Sequence, residues 1–204
     1  MSFLPDQHIR TRLNDRTVGI AGCGGLGSSC AVALARVGVG KLVIADFDKV
    51  EISNLNRQYY FSEQVGMPKV LALKEVIYMI DPFVIVETHE TVLDEENIPW
   101  IFKDCDVIVE AFDRAEMKQM IIETVTENMK GWPLVCGVGL AGWGENQEIG
   151  ITKYDNVYLC GDGTREVSNE FPPLAPRVGI VANMQANQVL ELLLGKMLDG
   201  NYTE

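Results

Sequence analysis

Residues 17–46, TVGIAGCGGLGSSCAVALARVGVGKLVIAD, decide the fold. Thr17–Ala21 is a short β-branched and apolar run that reads as a buried strand. Gly22-Cys23-Gly24-Gly25-Leu26-Gly27 follows it without a break, and then an Ala-rich helical stretch to about Val37. Gly38 and Gly40 stop that helix, and Lys41–Ala45 is a second apolar run that delivers Asp46 to its end. Strand, glycine turn, helix and strand in this order make a βαβ unit. Glycines in such a turn let a phosphate approach the free N–H groups of the first helical turn. A carboxylate at the end of the second strand is placed to accept from ribose hydroxyls. The stretch predicts a nucleotide-binding α/β fold and leaves the nucleotide open, with NAD or FAD as the default.

Downstream, Val70, Leu73, Ile77 and Ile80 recur at helical spacing and predict a helix over 68–80, with Pro68 at its first position. Further strands are expected at 83–87, 106–109 and 134–136, and helices near 95–102 and over 114–129. A glycine-rich turn at 137–144 precedes alternating segments at 148–152 and 157–160. Their connection is too short for a crossover, so they read as antiparallel. A loop with Pro172, Pro173 and Pro176 leads into a closing helix over 178–194. The expected architecture is one α/β domain, Rossmann-like, with a mostly parallel sheet, helices on both faces and antiparallel strands toward the C-terminal part. Within it, 1–16 form an N-terminal arm, 17–138 the nucleotide-binding core and 139–204 the antiparallel extension with the closing helix.

Composition narrows the function. The chain has 204 residues, 47% hydrophobic and 23% charged, with a net charge of −12. That charge argues against a general nucleic-acid surface, which needs a basic stripe. MSFLPDQHIRTR contains no apolar export signal, and no apolar run reaches membrane-spanning length. The five cysteines, Cys23, Cys30, Cys105, Cys136 and Cys160, form no Cys-x-x-Cys pair. They suit a reducing cytoplasm and give no zinc knuckle. Neither His8 nor His89 stands in a catalytic context, and there is no Gly-x-Ser-x-Gly elbow.

Three residues pull the reading away from a dinucleotide. Arg57 lies in the polar stretch Ser53-Asn54-Leu55-Asn56-Arg57-Gln58 with no carboxylate beside it. Lys69 falls in the first turn of a helix, where the macrodipole disfavours a cation unless an anion shares the spot. Asp113 follows a strand at the edge where open α/β sheets place ligands, and a carboxylate facing a polyphosphate calls for a divalent cation between them. Each has a plainer alternative: a salt bridge to a distant acid for Arg57, a solvent-pointing side chain for Lys69 and a helix cap for Asp113. Their joint occurrence behind the glycine loop favours a triphosphate.

GIAGCGGLGS, LVIADFDKVEISNLNRQ, Lys69 and the acidic turn at Asp113 together resemble the ThiF/MoeB/ubiquitin-activating family of adenylyltransferases. EAFDRAEMK and APRVGIVANMQANQVLELLLG look most like the short, zinc-free ThiF type associated with thiamine biosynthesis. The resemblance implies that Gly22, Gly24, Gly25 and Gly27 hold the ATP phosphates. Asp46 and Asp48 then serve the nucleotide, with Asp46 on the ribose; Asn54, Arg57 and Lys69 hold phosphates, and Asp113 holds Mg2+. Arg114 stands where many relatives carry Asn. It further implies a homodimer to which Arg10 or Arg12 contributes across subunits, and a small ubiquitin-like sulfur carrier ending in Gly-Gly as partner. The implied reaction is attack of the carrier's terminal carboxylate on the α-phosphorus. Cys160, followed by Gly161-Asp162-Gly163, is the candidate for a second-stage thiol, with inert packing as the alternative. The apolar stripe Val178, Ala182, Ala186, Val189 and Leu193 serves either packing or a homodimer. The turn at 137–144, with Trp143, floors a channel for the carrier's tail or is a plain turn. The competing functions are an NAD- or FAD-binding oxidoreductase and a non-catalytic nucleotide-binding scaffold.

Overall fold

The computed structural model describes residues 6–165, 167–168 and 170–195. A seven-stranded sheet runs in the order β3-β2-β1-β4-β5-β7-β6. Its strands are β1 (Thr17–Ala21), β2 (Lys41–Ala45), β3 (Ile85–His89), β4 (Val107–Glu110), β5 (Leu134–Val138), β6 (Gly150–Tyr154) and β7 (Val157–Gly161). The pairs β1–β2, β1–β4, β2–β3, β4–β5 and β5–β7 are parallel, and β6–β7 is antiparallel. The fold is therefore α/β and Rossmann-like, with its antiparallel pair near the C-terminal end.

Among the described residues six α-helices cover the sheet: α1 (Asp6–Leu13), α2 (Gly25–Val37), α3 (Lys69–Ile80), α4 (Asn97–Phe102), α5 (Ala115–Asn128) and α6 (Ala175–Leu194). One core joins Leu34, Leu73, Ile77, Val181 and Val189 to β-strand residues such as Ile20 and Ile44. The other joins Ile98, Phe102, Ile121 and Val125 to residues such as Ile108 and Leu134. Helices α1, α2, α3 and α6 thus face one side, and α4 and α5 the other. Alternate residues of a strand point to opposite faces, so buried strands must be apolar at nearly every position. β4, VIVE, is buried throughout.

Some boundaries differ from the periodicity. β3 begins two residues late because Asp81 accepts the Phe83 N–H at 3.0 Å, turning the chain before it can pair. Pro68 is the cap of α3, with φ −54° and ψ 132°, and Lys69 is its first residue. α6 starts at Ala175 and carries Pro176 in its first turn, where a missing N–H removes no intrahelical bond. The α6 stripe Val178, Ala182, Ala186, Val189 and Leu193 is buried inside this chain, so packing consumes it.

The order of strands creates the crevice. The chain runs outward from β1 to β2 and β3, then crosses back to β4 on the opposite side of β1. Loops leaving β1 and β4 diverge there and leave a gap above the strands' carboxyl ends. No helix among the described residues is long and apolar enough to cross a membrane.

Helix α1 is held by two arginines. Arg10 Nη1 donates to Asp81 Oδ2 at 2.7 Å, its Nη2 donates to the Arg36 carbonyl, and Arg12 donates to the Leu194 carbonyl at 2.7 Å. The Arg10 guanidinium, helped by the Phe83 N–H, holds the Asp81 carboxyl below the ordinary carboxylate range. A depressed folded-state value means stability that is present above the unfolded pKa, about 3.9, and lost as pH falls through the folded one. Asp81→Asn is expected to lower the urea midpoint at pH 7, and the gap from the parent is expected to close as pH falls below about 4. Denaturation curves across that range check this.

Candidate nucleotide site

The crevice is a cleft of about 930 Å³. Gly22, Gly24 and Gly25 line it from the β1–α2 loop, Asp46 and Asp48 from the end of β2, and Arg57 and Lys69 from the segment beyond. Asp113 and Arg114 line it from the end of β4, and Gly137 to Leu140 from the end of β5. Gly22 has φ +97°, and a Cβ there would stand 2.9 Å from the Ala111 carbonyl oxygen. A Cβ on Gly27 would collide with the Gly22 carbonyl, so Gly27 lets the loop fold onto its helix and does not itself line the cleft. No side chain caps α2, and no acid sits in its first turn. The N–H groups there and the helix dipole are accordingly available to an anion.

Asp46 accepts the Cys23 N–H at 2.6 Å through one oxygen and the Asp48 N–H at 2.7 Å through the other. Burial pushes its carboxyl above the ordinary range, while those two N–H groups and the Lys69 ammonium pull it back. Lys69 is buried and points into the cleft, and its Nζ lies 2.8 Å from Asp48 Oδ2. The solvent-pointing alternative for this lysine is excluded. A buried ammonium is tolerated only when paired, and Asp48 supplies the partner. Arg57 has no carboxylate partner among the described residues; its Nη1 donates to the Ser53 carbonyl and to Asn56 Oδ1. The distant salt bridge does not form.

Asn54 is placed differently from the other polar residues of its stretch. It is buried and does not line the cleft. Its Oδ1 accepts the Glu51 N–H at 2.9 Å, and together with the Glu51 side chain it closes a capping box around a single 3₁₀ turn, Ile52–Asn54. That turn aims Arg57, whose N–H bonds the Asn54 carbonyl. Asp113 is not the cap of α5; Arg114 holds that position without a side-chain bond. The Asp113 carboxylate is exposed and pairs with no cation among the described residues. One open carboxylate on the cleft suits Mg2+, which keeps several waters and needs few protein ligands. No described group of three or more His, Cys, Asp or Glu is arranged to hold a metal without other ligands.

One of the sequence candidates moves away from the chemistry. Cys160 lies wholly in the core, and burial raises its thiol to about 12. Of the two readings for Cys160, the structure gives packing: its thiol belongs to the core that α2 and α6 form on the sheet, with Cys30 and Val181. Arg10 and Arg12 do not line the cleft and have partners in their own chain. His89 is half-buried, hydrogen-bonded to Glu87 at 2.8 Å and set edge-on to Trp100. In the turn at 137–144, Gly137 to Leu140 form a wall of the cleft while Trp143 faces solvent.

The residues that hold the site together carried no motif. Tyr60 is buried and donates its hydroxyl to the Cys23 carbonyl at 2.6 Å, while the Tyr59 N–H donates to Ser28 Oγ at 3.1 Å. These two bonds lash the Arg57 segment to the glycine loop. Lys118 bonds both oxygens of the fully buried Glu110 and the Gly137 carbonyl, joining the ends of β4 and β5 under Asp113. Arg177, buried in α6, donates to the Gly139 and Gly144 carbonyls and pairs with Asp162. Tyr60 next to Arg57 and Lys118 on the helix after Asp113 were legible as neighbours, but nothing local marks a tether.

The ThiF family model matches residues 2–204, and the chain belongs to the ThiF family. It is 32% identical over 191 residues to the molybdopterin-synthase adenylyltransferase of Haemophilus influenzae, covering 89% of this chain and 76% of that one. It is 35% identical over 201 residues to the adenylyltransferase and sulfurtransferase UBA4 of Kluyveromyces lactis, covering 94% of this chain and 44% of that one. The chain therefore spans less than half the length of that relative. The tRNA N6-threonylcarbamoyladenosine dehydratase TcdA of E. coli, solved with AMP, superposes with a TM-score of 0.82 over 91% of this chain and 89% of that one. At 21% identity that likeness speaks for the fold alone.

Removing Arg177 would take a donor from the Gly139 and Gly144 carbonyls and leave Asp162 to the Thr164 and Arg165 N–H groups and the Arg165 side chain at 3.6 Å. Arg177→Met is expected to cost about 1–3 kcal/mol of stability. Chemical denaturation measures it.

Proposed function

We propose that this protein is an ATP-dependent adenylyltransferase that activates the C-terminal carboxylate of a small ubiquitin-like sulfur carrier protein. The observation that carries the reading is convergence: Arg57, Lys69, Asp113 and the glycine loop, which come from separate segments, face one cleft. In the proposed step a carboxylate oxygen of the carrier bonds to the α-phosphorus of ATP. The bond from that phosphorus to the bridging oxygen breaks, and pyrophosphate leaves with the electron pair. The nucleophile is ionised at neutral pH, so no side-chain base is required, and no histidine is among the described residues that line the cleft. What the step needs is alignment and positive charge around the reacting phosphorus.

In this reading Gly22, Gly24 and Gly25 present backbone N–H groups to the phosphates, with Gly27 allowing the approach. Asp46 takes the ribose. Arg57 and Lys69 neutralise charge that builds on the phosphates, and Asn54 acts through the turn that aims Arg57. Asp113 would hold Mg2+, which would supply positive charge against the phosphates. Asp48 passes Lys69 from one anion to another as the nucleotide arrives.

The names of the relatives support a sulfur-carrier substrate, since one acts for molybdopterin synthase and another is both adenylyltransferase and sulfurtransferase. The finer assignment to thiamine thiazole biosynthesis rests on the resemblance to the short ThiF type. The carrier would end in Gly-Gly, thin enough to run along the wall at 137–140. A second copy of the chain, if it dimerises, would meet a face other than the α6 stripe. Five buried free thiols suit a cytoplasmic setting.

Pyrophosphate–ATP exchange with magnesium and a Gly-Gly-terminated carrier is the deciding assay. Exchange that requires the carrier's terminal carboxylate is expected. Tight magnesium-ATP binding without exchange would point to a scaffold, and binding of NAD or FAD in place of ATP to an oxidoreductase. Arg57→Ala and Lys69→Ala should each slow adenylation by about 100- to 1,000-fold, the effect of losing about 2.7–4 kcal/mol of charge stabilisation. Cys160→Ser should adenylate at the parent rate while unfolding at lower denaturant, because it puts a hydroxyl in the core.

A further inference from the structure

Two lysines line the cleft, and they are held in opposite ways. Lys69 reaches Asp48, whose side chain is 47% exposed, so water can replace the ammonium when it turns to another anion. Lys118 reaches Glu110, whose side chain is fully buried. Its ammonium donates to Oε1 at 2.8 Å, to Oε2 at 3.0 Å and to the Gly137 carbonyl at 2.8 Å. An ammonium has three N–H donors, and all three are spent. Lys118 therefore cannot turn to a phosphate without leaving a buried carboxylate uncompensated, which is strongly unfavourable.

The pair instead closes a short stretch of chain. Glu110 ends β4 and Lys118 lies in the first turn of α5, so their bond spans the turn that carries Asp113. Inside that span Glu110 Oε1 accepts the Phe112 N–H at 2.7 Å, and the Lys118 N–H donates to the Arg114 carbonyl at 3.1 Å. The pair also ties the span to β5. Pairing of β4 with β5 ends at Glu110 and Cys136, while β5 runs on to Val138. Gly137 thus projects past its neighbour strand, and the Glu110 carboxylate and Lys118 ammonium take its N–H and its carbonyl in that strand's place. From the α6 side, Gln185 Nε2 donates to the Glu110 carbonyl at 2.8 Å and to the Val135 carbonyl at 3.1 Å. Burial raises the Glu110 carboxyl, and Lys118 with the Phe112 and Gly137 N–H groups draws it back. The Asp113 carboxylate, by contrast, has no partner of its own among the described residues. Its place is set by the backbone, and that backbone is set by the pair.

We infer that Glu110 and Lys118 are positioning residues whose ion pair staples the turn between them and holds the Asp113 carboxylate in the cleft for the metal. The inference rests on the nucleotide and magnesium reading proposed above. It takes Lys118 out of the set of phosphate ligands, although Lys118 lines the cleft, and gives the metal ligand a support from behind. Such support matters because a carboxylate on a loose turn has to lose conformational freedom when it binds.

The test uses Glu110→Gln/Lys118→Met, which removes both charges together and strands neither. Replacing both members of a buried pair is often close to neutral, so the urea midpoint is expected near the parent's. Calorimetry then compares ATP with magnesium and ATP with a chelator. Metal-free ATP should bind parent and variant alike. The tightening that magnesium gives should shrink about tenfold, as when a group that orients a metal ligand is lost. Asp113→Asn should shrink it in the parent and add little in the pair variant, because both act through one carboxylate. Without nucleotide, the amides of 111–114 should exchange faster in the pair variant while those of 119–128 keep their protection. Lys118→Gln, whose amide still donates to Glu110, carries the same comparison if the pair variant does not fold.

An unchanged magnesium effect would overturn the inference and leave the nucleotide reading standing. So would an equal loss for metal-free ATP, which would make Lys118 a phosphate ligand. Losses from Asp113→Asn and the pair variant that multiply would place the action of the pair elsewhere, and unchanged exchange at 111–114 would mean that the turn needs no staple. A parent whose ATP affinity ignored magnesium would remove the magnesium reading and this inference together. If the parent bound no ATP at all, the nucleotide reading would fail and take both with it.

Discussion

The approach of Gly27 to the Gly22 carbonyl is the contact on which the site depends. With no side chain between them, helix α2 starts directly beneath the end of β1. The free N–H groups of its first turn consequently open into the gap where the chain changes sides of the sheet. Any larger residue at position 27 would push the helix away from the strand and turn those N–H groups elsewhere. Arg57 and Lys69 are placed with respect to that turn. Tyr60 and Tyr59 bond to the loop and to its helix, so Arg57 is located by the same contact. Lys69 follows through Asp48, whose carbonyl also accepts the Lys69 N–H at 2.9 Å.

Electrostatics in the cleft are balanced without a ligand and poised to change with one. Lys69 is paired to Asp48 and Lys118 to Glu110, so these cations are compensated at rest. Arg57 and Asp113 are uncompensated among the described residues, one positive and one negative, and both line the cleft. A magnesium–polyphosphate complex carries both matching signs. An isolated dinucleotide pyrophosphate would satisfy the helix N-terminus and leave the Asp113 carboxylate facing like charge. The charge arrangement is what separates this cleft from an ordinary dinucleotide crevice of the same topology.

Much of this was readable before any coordinates, for reasons that differ by residue. The βαβ unit was legible because glycine positions and apolar runs encode backbone geometry locally. Lys69 was legible because a helix start is marked by its own neighbours, Pro68 among them. Asn54 was not, because a capping box within a single 3₁₀ turn has no periodicity to betray it. The choice between the two readings of Cys160 is not legible, because what packs on a strand's face is a long-range fact. Nothing near residue 160 shows that α2 and α6 cover it. The tethers from Tyr60 to Cys23, Lys118 to the Gly137 carbonyl and Arg177 to the Gly139 carbonyl were invisible for the same reason: the partners are remote in sequence, 37, 19 and 38 positions apart.

The burial of all five thiols has a consequence for how the protein meets reactive sulfur and oxidants. Desolvation raises Cys30, Cys105 and Cys160 far from the thiolate form that reacts, and Cys23 and Cys136 likewise. A folded molecule therefore offers an alkylating reagent or a persulfide almost nothing to attack. Modification has to wait until a strand or helix lifts away from the sheet, so the rate at which each cysteine is labelled becomes a clock for the opening of its own neighbourhood. Cys23 times the glycine loop, Cys30 its helix, Cys136 and Cys160 the β5–β7 region, and Cys105 the turn ahead of β4. The chain carries its own set of internal reporters on where it breathes.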